Sequence, residues 1–466
     1  MTDWRDAVLV GVSPLPQDVA ETRPDTGLWV GHGQIGRADV VVAAWNFAVA
    51  GGSFGEREAG LFAAACAEAA STRRPLVSMI RSGGTRLQEG MRALVGISRA
   101  ILALEQVARA GVPHIAVADN PTTGGVWVAV GSSADLRVGV SDATVSFSGP
   151  RVIEAMTGVA VPRTTYTAEA ALETGQLDAV VAPEALATWL ENALVQLRPD
   201  EAQPVPPPGP AAVPDRTGWE QVLDSRERDR PSGSELIARL LSAEDGAPVP
   251  LGAADDAVTA SVGRVGGHRV LAVALAARRA GRAGPGGYAL VRRAAELAGR
   301  LDLALVVLID TVGADPLPAS ERAGIAPAIA AATTAVLGCQ APSVAVIHGE
   351  GGSGGALAGA VVDCVAVTEH GWFAALGPEG AGATLRIDPK DAADRMGLTP
   401  RDLLASGFAD ALAPADPVAL REWLADQLNQ LRAVPAEQRI RRRREKWSNA
   451  LPGTPASASD EPPDIA

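Results

Sequence analysis

Lysine is nearly absent from this chain of 466 residues. Only Lys390 and Lys446 are lysines among its 41 basic residues, and the formal net charge is −13. A chain this acidic lacks the basic surface that nucleic-acid binding requires, so we expect no nucleic-acid partner. Aromatic residues are also scarce, at 4%, whereas the 50 glycines favour tight turns and close approaches of the backbone.

Cysteine and histidine are too few and too scattered to predict a metal centre. Cys66, Cys339 and Cys364 lack metal-ligand spacing, and we expect them to be buried thiols. The histidines are also dispersed, and we interpret His348, which precedes a glycine-rich stretch, as a packed strand-end residue rather than a site residue. Neither a G-x-S-x-G turn nor an H-E-x-x-H helix occurs. The sequence therefore predicts no metal and no conventional nucleophile.

Long apolar runs are also missing. No window of about 18 uncharged apolar residues occurs, and the first residues lack the basic-then-apolar pattern of a secretory signal. We therefore expect a cytoplasmic protein without a membrane partner.

The length favours two domains, and a proline-rich stretch marks the boundary. DEAQPVPPPGPAAVPD, residues 200–215, has six prolines and predicts a semi-rigid linker. We expect domains over residues 1–199 and 216–430. Residues 431–466 predict a basic helical arm followed by a disordered tail. For its arginines, which include Arg439 and Arg441–Arg444, a solvated face is favoured over a nucleic-acid or membrane-surface contact.

Both predicted domains alternate strand-like and helical segments, which is typical of α/β layers, and the order of the segments repeats. LVSMIRSGG at Leu76 matches LVVLIDTVG at Leu305, 229 positions further along, and PHIAV matches PSVAV at the same offset. A one-residue insertion then aligns TGGVWVAV at Thr123 with SGGALAGA at Ser353, and the offset falls to 228 beyond it. We predict one fold that is used twice.

Each half has two glycine-bearing turns that follow strand-like runs. They are Gly83-Gly84 and Gly124-Gly125 in the first half, and Gly313 and Gly354-Gly355 in the second. The later turn of each pair opens a helix-like stretch, and a helix N-terminus presents unpaired N–H groups with partial positive charge. Two such turns can direct two N–H donors at one oxygen, which is an oxyanion hole.

Other interpretations of these glycines are weaker. GEGGSGGAL, from Gly349, lacks the Gly-Lys-Ser/Thr ending of a phosphate-binding Walker loop. Close helix–strand packing explains any single turn, but four turns at matched places favour a function. Ser353 is the best-placed hydroxyl, and no histidine is evident as its base. Oxyanion donors without acid–base residues suit enolate chemistry in which the substrates supply the base.

The chain resembles the bacterial acetyl-CoA carboxylase carboxyltransferase family over about residues 26–425, as a fusion in β-then-α order. The first half resembles the β subunit in the motifs AGGSFGERE, SGGTRLQE, PTTGGVWVAVGSSADL and SGPRVIE. The second half resembles the α subunit in the motifs GWEQVLDSRERDRPSGSELIARL, GPGGYALVRRAAELA, LIDTVGADP, ERAGIAPAIA, GEGGSGGALAGAVVD and GPEGAGATL. The resemblance implies two tandem crotonase-like (ClpP/crotonase) domains related by internal duplication.

The resemblance also implies the roles of individual residues. In the β-like half, Gly124 and Gly125 would stabilise the enolate oxygen of an acyl-CoA thioester. The other substrate-binding residues would be Gly83, Gly84, Arg86, Gly149 and Arg151. In the α-like half, Gly354 and Gly355 would stabilise the ureido oxygen of carboxybiotin. The other cofactor-binding residues would be Gly313, Gly352, Ser353, Gly377 and Glu379.

The implied activity is transfer of CO2 from carboxybiotin to the α-carbon of a short acyl-CoA. The chain has no biotin carboxylase region and no MKM biotinylation segment, so biotin carboxylase and biotin carboxyl carrier protein would be separate partners. If the β-like half of one copy faces the α-like half of another, as in this family, the working unit is a homo-oligomer.

Three departures from the family keep alternative functions open. The four-cysteine zinc ribbon of the β subunit is missing, Asp315 replaces an aromatic residue of GAYPG, and Arg386 replaces a tryptophan. The alternatives are a biotin-independent malonyl-thioester decarboxylase and a non-catalytic partner subunit. Structural roles are equally compatible with Arg151, Glu154, Glu379 and Tyr288.

Overall fold

The computed structural model describes residues 10–15, 26–202, 212–227, 229–241, 246–275 and 281–449. Most of the predicted linker and the whole predicted disordered tail after residue 449 lie outside these ranges. In the described part of the chain, the strands form two mixed sheets, so the fold is α/β as predicted.

The first sheet has eight strands in the described residues. They are β1 (Val10–Pro14), β2 (Leu28–Ile35), β3 (Ala38–Trp45), β4 (Leu76–Ser82), β5 (His114–Thr123), β6 (Leu136–Val140), β7 (Val145–Ser146) and β8 (Ala179–Val181). The order is β1-β2-β3-β4-β5-β6-β8, and β7 pairs with β5. The first three strands pair antiparallel, and from β3 onward the pairing is parallel. The parallel strands β4 and β5 are apolar runs because helices cover both faces of such a sheet.

The second sheet has the same plan. Its strands are β9 (Val249–Leu251), β10 (Val258–Val265), β11 (His268–Leu275), β12 (Ala304–Thr311), β13 (Ser343–Gly351), β14 (Cys364–Val367) and β15 (Ala411–Leu412). They follow one another in the order β9 to β15, antiparallel up to β11 and parallel beyond it.

Helices pack on both sheets. Those of the first half are α1 (Glu56–Thr72), α2 (Met91–Arg109), α3 (Gly124–Val126), α4 (Pro150–Thr157), α5 (Ala168–Glu173) and α6 (Leu186–Leu197). Those of the second half are α7 (Gly218–Ser225), α8 (Gly233–Leu240), α9 (Pro285–Leu301), α10 (Pro318–Arg322), α11 (Ile325–Gly338), α12 (Ser353–Ala360), α13 (Pro378–Leu385), α14 (Pro389–Arg395), α15 (Pro400–Ala405), α16 (Pro417–Arg432) and α17 (Ala436–Ser448). A π-helical turn, Trp127–Gly131, continues α3.

One buried apolar cluster joins the two halves. Leu190 and Leu194 of α6 belong to the same cluster as Val262 of β10 and Leu271 of β11. The halves are also linked by the ion pair between Arg293 and Asp178, 2.6 Å apart. Asp178 is completely buried, and the hydrogen bonds and charge of Arg293 lower the pKa of its carboxyl even though burial alone would raise it. The halves therefore share a core, although each has its own sheet.

The registers of the two sheets repeat the sequence offset. Ser82 pairs with Thr122 after a register shift, and Thr311 pairs with Gly351 after the same kind of shift. Each residue of the second pair lies 229 positions after its counterpart in the first. The turns that carry the glycines therefore follow the same irregularity in both sheets.

The predicted one-residue insertion before the second glycine pair is wrong. Gly124 begins α3 and Ser353 begins α12, 229 positions apart, and both have left-handed backbone geometry, with φ of 68° and 62°. The offset becomes 228 only where β6 and β14 begin. Gly125 therefore corresponds to Gly354 rather than to Gly355, since the hydrophobic pattern of a short glycine-rich helix does not fix its alignment.

The predicted basic arm is a helix, α17, and its Arg441, Arg442 and Arg444 are exposed as expected, but the helix packs on the second half through two other arginines. Arg439 and Arg443 of α17 are buried, and both pair with buried Asp363, at 3.1 and 2.8 Å. Arg443 also donates to the carbonyl oxygens of Val336, Leu337 and Cys339 at the end of α11. A helix C-terminus leaves carbonyl groups unpaired, and an arginine side chain satisfies them.

Candidate active site

The two glycine turns of the first half are in contact. Gly84 and Gly124 have φ of 104° and 68°, a backbone conformation that side chains disfavour. A Cβ on Gly124 would lie 3.0 Å from Cα of Gly84. The turns after β4 and β5 approach this closely because neither Gly84 nor Gly124 has a side chain.

The hydrogen bonds around these turns separate occupied amides from available ones. Gly124 donates to the carbonyl of Phe147 at 3.0 Å, Gly83 donates to the carbonyl of Gly51, and Gly84 donates to the hydroxyl of Ser82. Among the described residues, the backbone N–H groups of Gly125 and Thr85 have no acceptor. Thr85 lies against the same turn, because a Cβ on Gly125 would be 2.7 Å from its Oγ1.

The second half has the corresponding arrangement with a serine in the turn. The Ser353 amide donates to the carbonyl of Ala374 at 3.0 Å, and its hydroxyl accepts from the amide of Gly355 at 3.3 Å. A Cβ on Gly313, where φ is 129°, would lie 2.7 Å from the Ser353 hydroxyl. Gly352 donates to the carbonyl of Thr311 and so ties the end of β13 to β12.

Gly354 and Ala314 carry the available amides of this half. Within the described ranges, neither N–H group has an acceptor. Gly354 is exposed, and a Cβ built on it meets no atom within 4 Å. A Cβ on Gly355 would lie 2.5 Å from the amide nitrogen of Ala314, so this amide faces the start of α12.

Tyr288 lies beneath the second-half turn. Its ring is completely buried, and its hydroxyl would be 2.5 Å from a Cβ on Gly355. Among the described residues this hydroxyl has no hydrogen-bond partner. Burial and, secondarily, the charge of Asp255 raise the pKa of Tyr288. The tyrosine therefore occupies the space that only a glycine at position 355 leaves free.

Arg86 is engaged within the protein. Its guanidinium pairs with buried Glu58 at 2.8 Å and with Glu89 at 3.1 Å, and it donates to Ser53. Burial alone would lower the pKa of Arg86, but the hydrogen bonds and charges of the two carboxylates outweigh this effect and raise it. The structure therefore places Arg86 near the first turn as an anchor, and its predicted contact with substrate stays a prediction.

The SGPRVIE stretch borders the first-half turn. Gly149 caps α4 with its carbonyl, Arg151 lies in the first turn of this helix, and Glu154 is exposed in its middle. The carbonyl of Phe147 binds the amide of Gly124, so the stretch is joined to the turn through the backbone. Phe147 itself is 71% exposed, so the residue that accepts from Gly124 presents an apolar side chain to solvent.

Glu379 is joined to the second-half turn by an arginine that the sequence analysis missed. Gly377 caps α13, and Glu379 lies in the first turn of this helix. Arg226 pairs with Glu379 at 2.7 Å and with buried Glu350, in β13, at 2.6 Å. Glu350 is 124 positions from Arg226 and Glu379 is 153 positions from it, so no local pattern in the sequence predicts the contacts.

Asp315 and Arg386, the departures from the family motifs, have distinct places. The Asp315 carboxylate accepts from the hydroxyl of Ser320 in α10 and from the amide of Leu317, just before this helix, at 3.2 Å. Arg386 is exposed and ends α13 in a left-handed conformation, with φ of 58°. The Asp315 side chain is thus engaged next to the turn that contains Ala314.

The cysteines are buried as predicted, and burial raises the pKa of the Cys364 thiol to about 12. His348 is buried near the end of β13, and burial lowers its pKa to about 4, which agrees with a packed histidine. No helix within the described ranges is long and apolar enough to cross a membrane. Nor do these ranges bring three or more cysteine, histidine or acidic side chains together as metal ligands.

The fold and the turns define a class of protein with two α/β halves, each presenting backbone donors from one strand end and one helix N-terminus. Residues 213–450 match a family model described as acetyl co-enzyme A carboxylase carboxyltransferase-like. The chain is 34% identical to the probable biotin-dependent acyl-coenzyme A carboxylase beta3 subunit of Mycobacterium tuberculosis (strain H37Rv), over 92% of this chain and 90% of that one. It is also 34% identical to the acetyl-coenzyme A carboxylase carboxyl transferase subunits beta/alpha of Salinispora tropica, over 94% of this chain and 84% of that one.

The chain therefore belongs to the carboxyltransferase family of biotin-dependent acyl-CoA carboxylases. A solved structure agrees in fold: the crystal structure of transcarboxylase 12S, a hexamer with methylmalonyl-coenzyme A bound, matches with a TM-score of 0.77. The match covers 93% of this chain and 89% of that one at 22% identity.

Proposed function

We propose that this protein is the carboxyltransferase component of an acyl-CoA carboxylase and transfers CO2 from carboxybiotin to the α-carbon of a short acyl-CoA. The main support, beyond family membership, is the pair of available amides in each half, at Thr85 and Gly125 and at Ala314 and Gly354. Each pair combines a strand end with a helix N-terminus, where a ligand oxygen gains both hydrogen bonds and a favourable dipole.

We further propose that each half is a crotonase-like domain and that the two arose by internal duplication. The shared strand order, the shared register shift and the offset of 229, which changes by only one residue beyond the glycine turns, support this proposal. The predicted domains, residues 1–199 and 216–430, need one extension, because the second one includes α17 through Arg443 and Asp363.

In the first half, the turns would hold the acyl-CoA thioester. The amides of Gly125 and Thr85 would donate to the carbonyl oxygen as it gains negative charge in the enolate, and Gly83, Gly84 and Gly124 would allow the close approach. Removal of one such donor in other enzymes costs about 3–4 kcal/mol of transition-state stabilisation. The exposed Phe147 would cover the acyl group.

In the second half, the residues fit a neutral ureido group that carries a carboxylate. Gly354 is open to solvent and no atom lies within 4 Å of a Cβ built on it, so a ring can reach its amide, and Ala314 supplies the second donor. Gly313, Gly352, Ser353 and Gly355 hold these donors in place. When bound, carboxybiotin supplies the CO2; the protein itself orients the ureido oxygen and stabilises charge on it.

We also propose a homo-oligomer in which the first half of one copy faces the second half of another. Among the described residues, no hydrogen bond or ion pair joins the first-half turns to the second-half turns. Helix α2, which follows the turn with Thr85, also exposes an apolar face. It includes Met91, Leu94, Val95, Ile101 and Leu102. Biotin carboxylase and a biotin carboxyl carrier protein would be separate partners, and a cytoplasmic location stays a prediction.

The proposed function is tested by incubating the purified protein with malonyl-CoA, with and without free biotin, and measuring release of acetyl-CoA. We expect release that depends on biotin, since the second half would then bind it. Release at the same rate with and without biotin would instead identify a biotin-independent decarboxylase. If no release occurs with malonyl-CoA or with longer malonyl analogues, the enzymatic proposal is wrong and a non-catalytic partner subunit is left.

A further inference from the structure

We propose that Arg226 is a positioning residue for the second-half site, which fixes helix α13 against the end of strand β13. The proposal rests on the proposed function, because it concerns the wall of the same site. It assigns a role to Arg226 within GWEQVLDSRERDRPSGSELIARL, a motif for which the sequence analysis named no site residue.

The geometry of Arg226 joins three segments. The residue ends α7, its Nε lies 2.6 Å from the Glu350 carboxylate in β13, and its two terminal nitrogens lie 2.7 and 3.2 Å from the two oxygens of Glu379 in α13. A guanidinium presents five donors in a rigid planar arrangement, so one arginine can hold two carboxylates at once.

We call Arg226 with its partners Glu350 and Glu379 the Arg226 clamp. Helix α7, which carries the arginine, is held firmly in the fold. Val222 of α7 is completely buried, and the indole of buried Trp372 donates to the hydroxyl of Ser225 at 3.0 Å. Trp372 lies in the chain that follows β14, so α7 is attached to the sheet directly beneath Arg226. The arginine is therefore held by a fixed element, whereas Glu379 belongs to a short helix on the surface.

A second arginine from the same segment holds the neighbouring strand. Arg230 pairs with Asp310 of β12 at 3.2 Å, and both side chains are buried. The same aspartate accepts from the amide of Glu350 at 2.9 Å. Arg226 and Arg230 therefore act on the two strands whose ends form the second-half turns.

The charges make Arg226 necessary for this arrangement. Glu350 is 1% exposed, and burial raises the pKa of its carboxyl. Glu379 is mostly exposed, and its hydrogen bond to Arg226 lowers its pKa. Without the arginine, the two carboxylates repel each other and α13 loses the ion pairs that join it to β13.

The clamp is specific to the second half. The counterparts of Asp310 and Glu350 at the offset of 229 are Arg81 and Pro121, which cannot make these contacts. Arg81 instead donates to the carbonyl of Asn120 at 2.8 Å. The two halves share their turns, but the acidic partners Asp310 and Glu350 of the second half have no acidic counterparts in the first.

The test compares Arg226→Met, Arg226→Lys and Glu379→Gln with the wild-type chain, and Arg401→Met is the matched control. Within the described residues, the ion pair of Arg401 with Asp215 is exposed on both sides. Arg401→Met should therefore change neither the amide exchange nor the KM values. Two quantities are measured: the rate of amide hydrogen exchange in residues 377–386, and the KM values for free biotin and malonyl-CoA.

We expect Arg226→Met to raise amide exchange in α13 about tenfold and to raise KM for biotin about tenfold, with KM for malonyl-CoA unchanged. Arg226→Lys should raise both quantities less than Arg226→Met does, because lysine keeps the charge but cannot form the bidentate pair. Glu379→Gln breaks only the exposed contact and should act in the same direction more weakly, so the test does not depend on whether Arg226→Met folds.

Unchanged exchange and unchanged KM for biotin in folded Arg226→Met and Glu379→Gln would overturn the proposal. A lower melting temperature without a selective rise in KM for biotin would also overturn it, since that result indicates a structural role alone. If the wild type shows no turnover that depends on biotin, the proposed function fails, and the exchange of α13 still decides whether Arg226 holds the helix.

Discussion

Gly354 is the residue at which the proposed second-half site can be perturbed with the least effect on folding. A Cβ meets no atom within 4 Å, and the backbone is not in the left-handed region, so Gly354→Ala should fold normally. The added methyl would occupy the space in front of the available amide. We expect turnover that depends on biotin to fall at least tenfold, with an unchanged melting temperature.

Gly338 provides the control for this substitution. It lies at the end of α11, and a Cβ there also meets no atom within 4 Å. Gly338→Ala should therefore leave both turnover and the melting temperature unchanged. Normal turnover in a folded Gly354→Ala variant would remove Gly354 from the proposed hole.

Thr85 and Ala314 illustrate a limit of prediction at the residue scale. The sequence predicted the turns correctly because glycine is the residue that positive φ and close backbone approach require. An available N–H group, however, belongs to the backbone and leaves no mark on the side chain beside it. Thr85 and Ala314 become candidates only when the hydrogen bonds of their neighbours are known.

Buried His114 predicts a pH dependence of stability. Burial, reinforced by the charge of Arg300, lowers its pKa to about 3 from 6.5. The unfolded chain therefore binds the proton more readily, and stability is lost as the pH falls below about 6.5. At pH 5 the loss from this residue is about 2 kcal/mol.

The measurement is the free energy of unfolding at pH 7 and pH 5 for the wild type and for His114→Gln. Glutamine can retain the hydrogen bond that the His114 Nε2 atom makes with the Ser78 hydroxyl at 2.9 Å. We expect the difference between the two pH values to shrink in the variant. An equal difference in both proteins would show that His114 binds its proton alike in the folded and the unfolded chain, and would contradict a lowered pKa in the fold.

At the scale of elements, helix α17 depends on two buried arginines. Arg443 is 1% exposed, pairs with Asp363 at 2.8 Å and caps the end of α11. Arg443→Ala would leave the Asp363 carboxylate short of one partner and the α11 carbonyls unsatisfied. We expect the free energy of unfolding to fall by about 3–5 kcal/mol.

The neighbouring Arg444 is exposed and gives the matched control. Arg444→Ala should change the free energy of unfolding by less than about 0.5 kcal/mol. Denaturant titration of both variants measures the difference. Similar values for the two would contradict the structural role of Arg443.

Helices and strands were more predictable from the sequence than the long-range ion pairs that hold them together. Strands β4 and β12 follow from apolar runs bounded by glycine turns, and their offset follows from the repeat. The position of α17 could not be predicted in this way. Composition does not show which of four successive arginines is buried, and the partner Asp363 is 80 positions away from Arg443. The pairing of Arg226 with Glu350 escapes prediction for the same reason.

At the scale of the whole molecule, the two halves carry similar turns with different surroundings. The first half exposes Phe147 and an apolar face of α2, whereas the second half has Tyr288 beneath its turn and the Arg226 clamp beside it. Such a division fits two ligands, one bound by each half. A complete site then requires that a first half and a second half face each other, and the described residues of one chain join the two sets of turns by no hydrogen bond or ion pair.

Mixing two inactive variants tests whether the site is shared between copies. Gly125→Val should inactivate the first-half turn, because a side chain there meets Thr85 and Ile97, and Gly354→Val should inactivate the second-half turn. If each site combines halves from two chains, a mixed dimer has one site with both substitutions and one with neither. Co-refolded or co-expressed variants should then regain about a quarter of wild-type turnover, since about half the dimers are mixed and each has one intact site. If each site lies within one chain, every site carries one substitution, and the mixture stays as inactive as either variant alone.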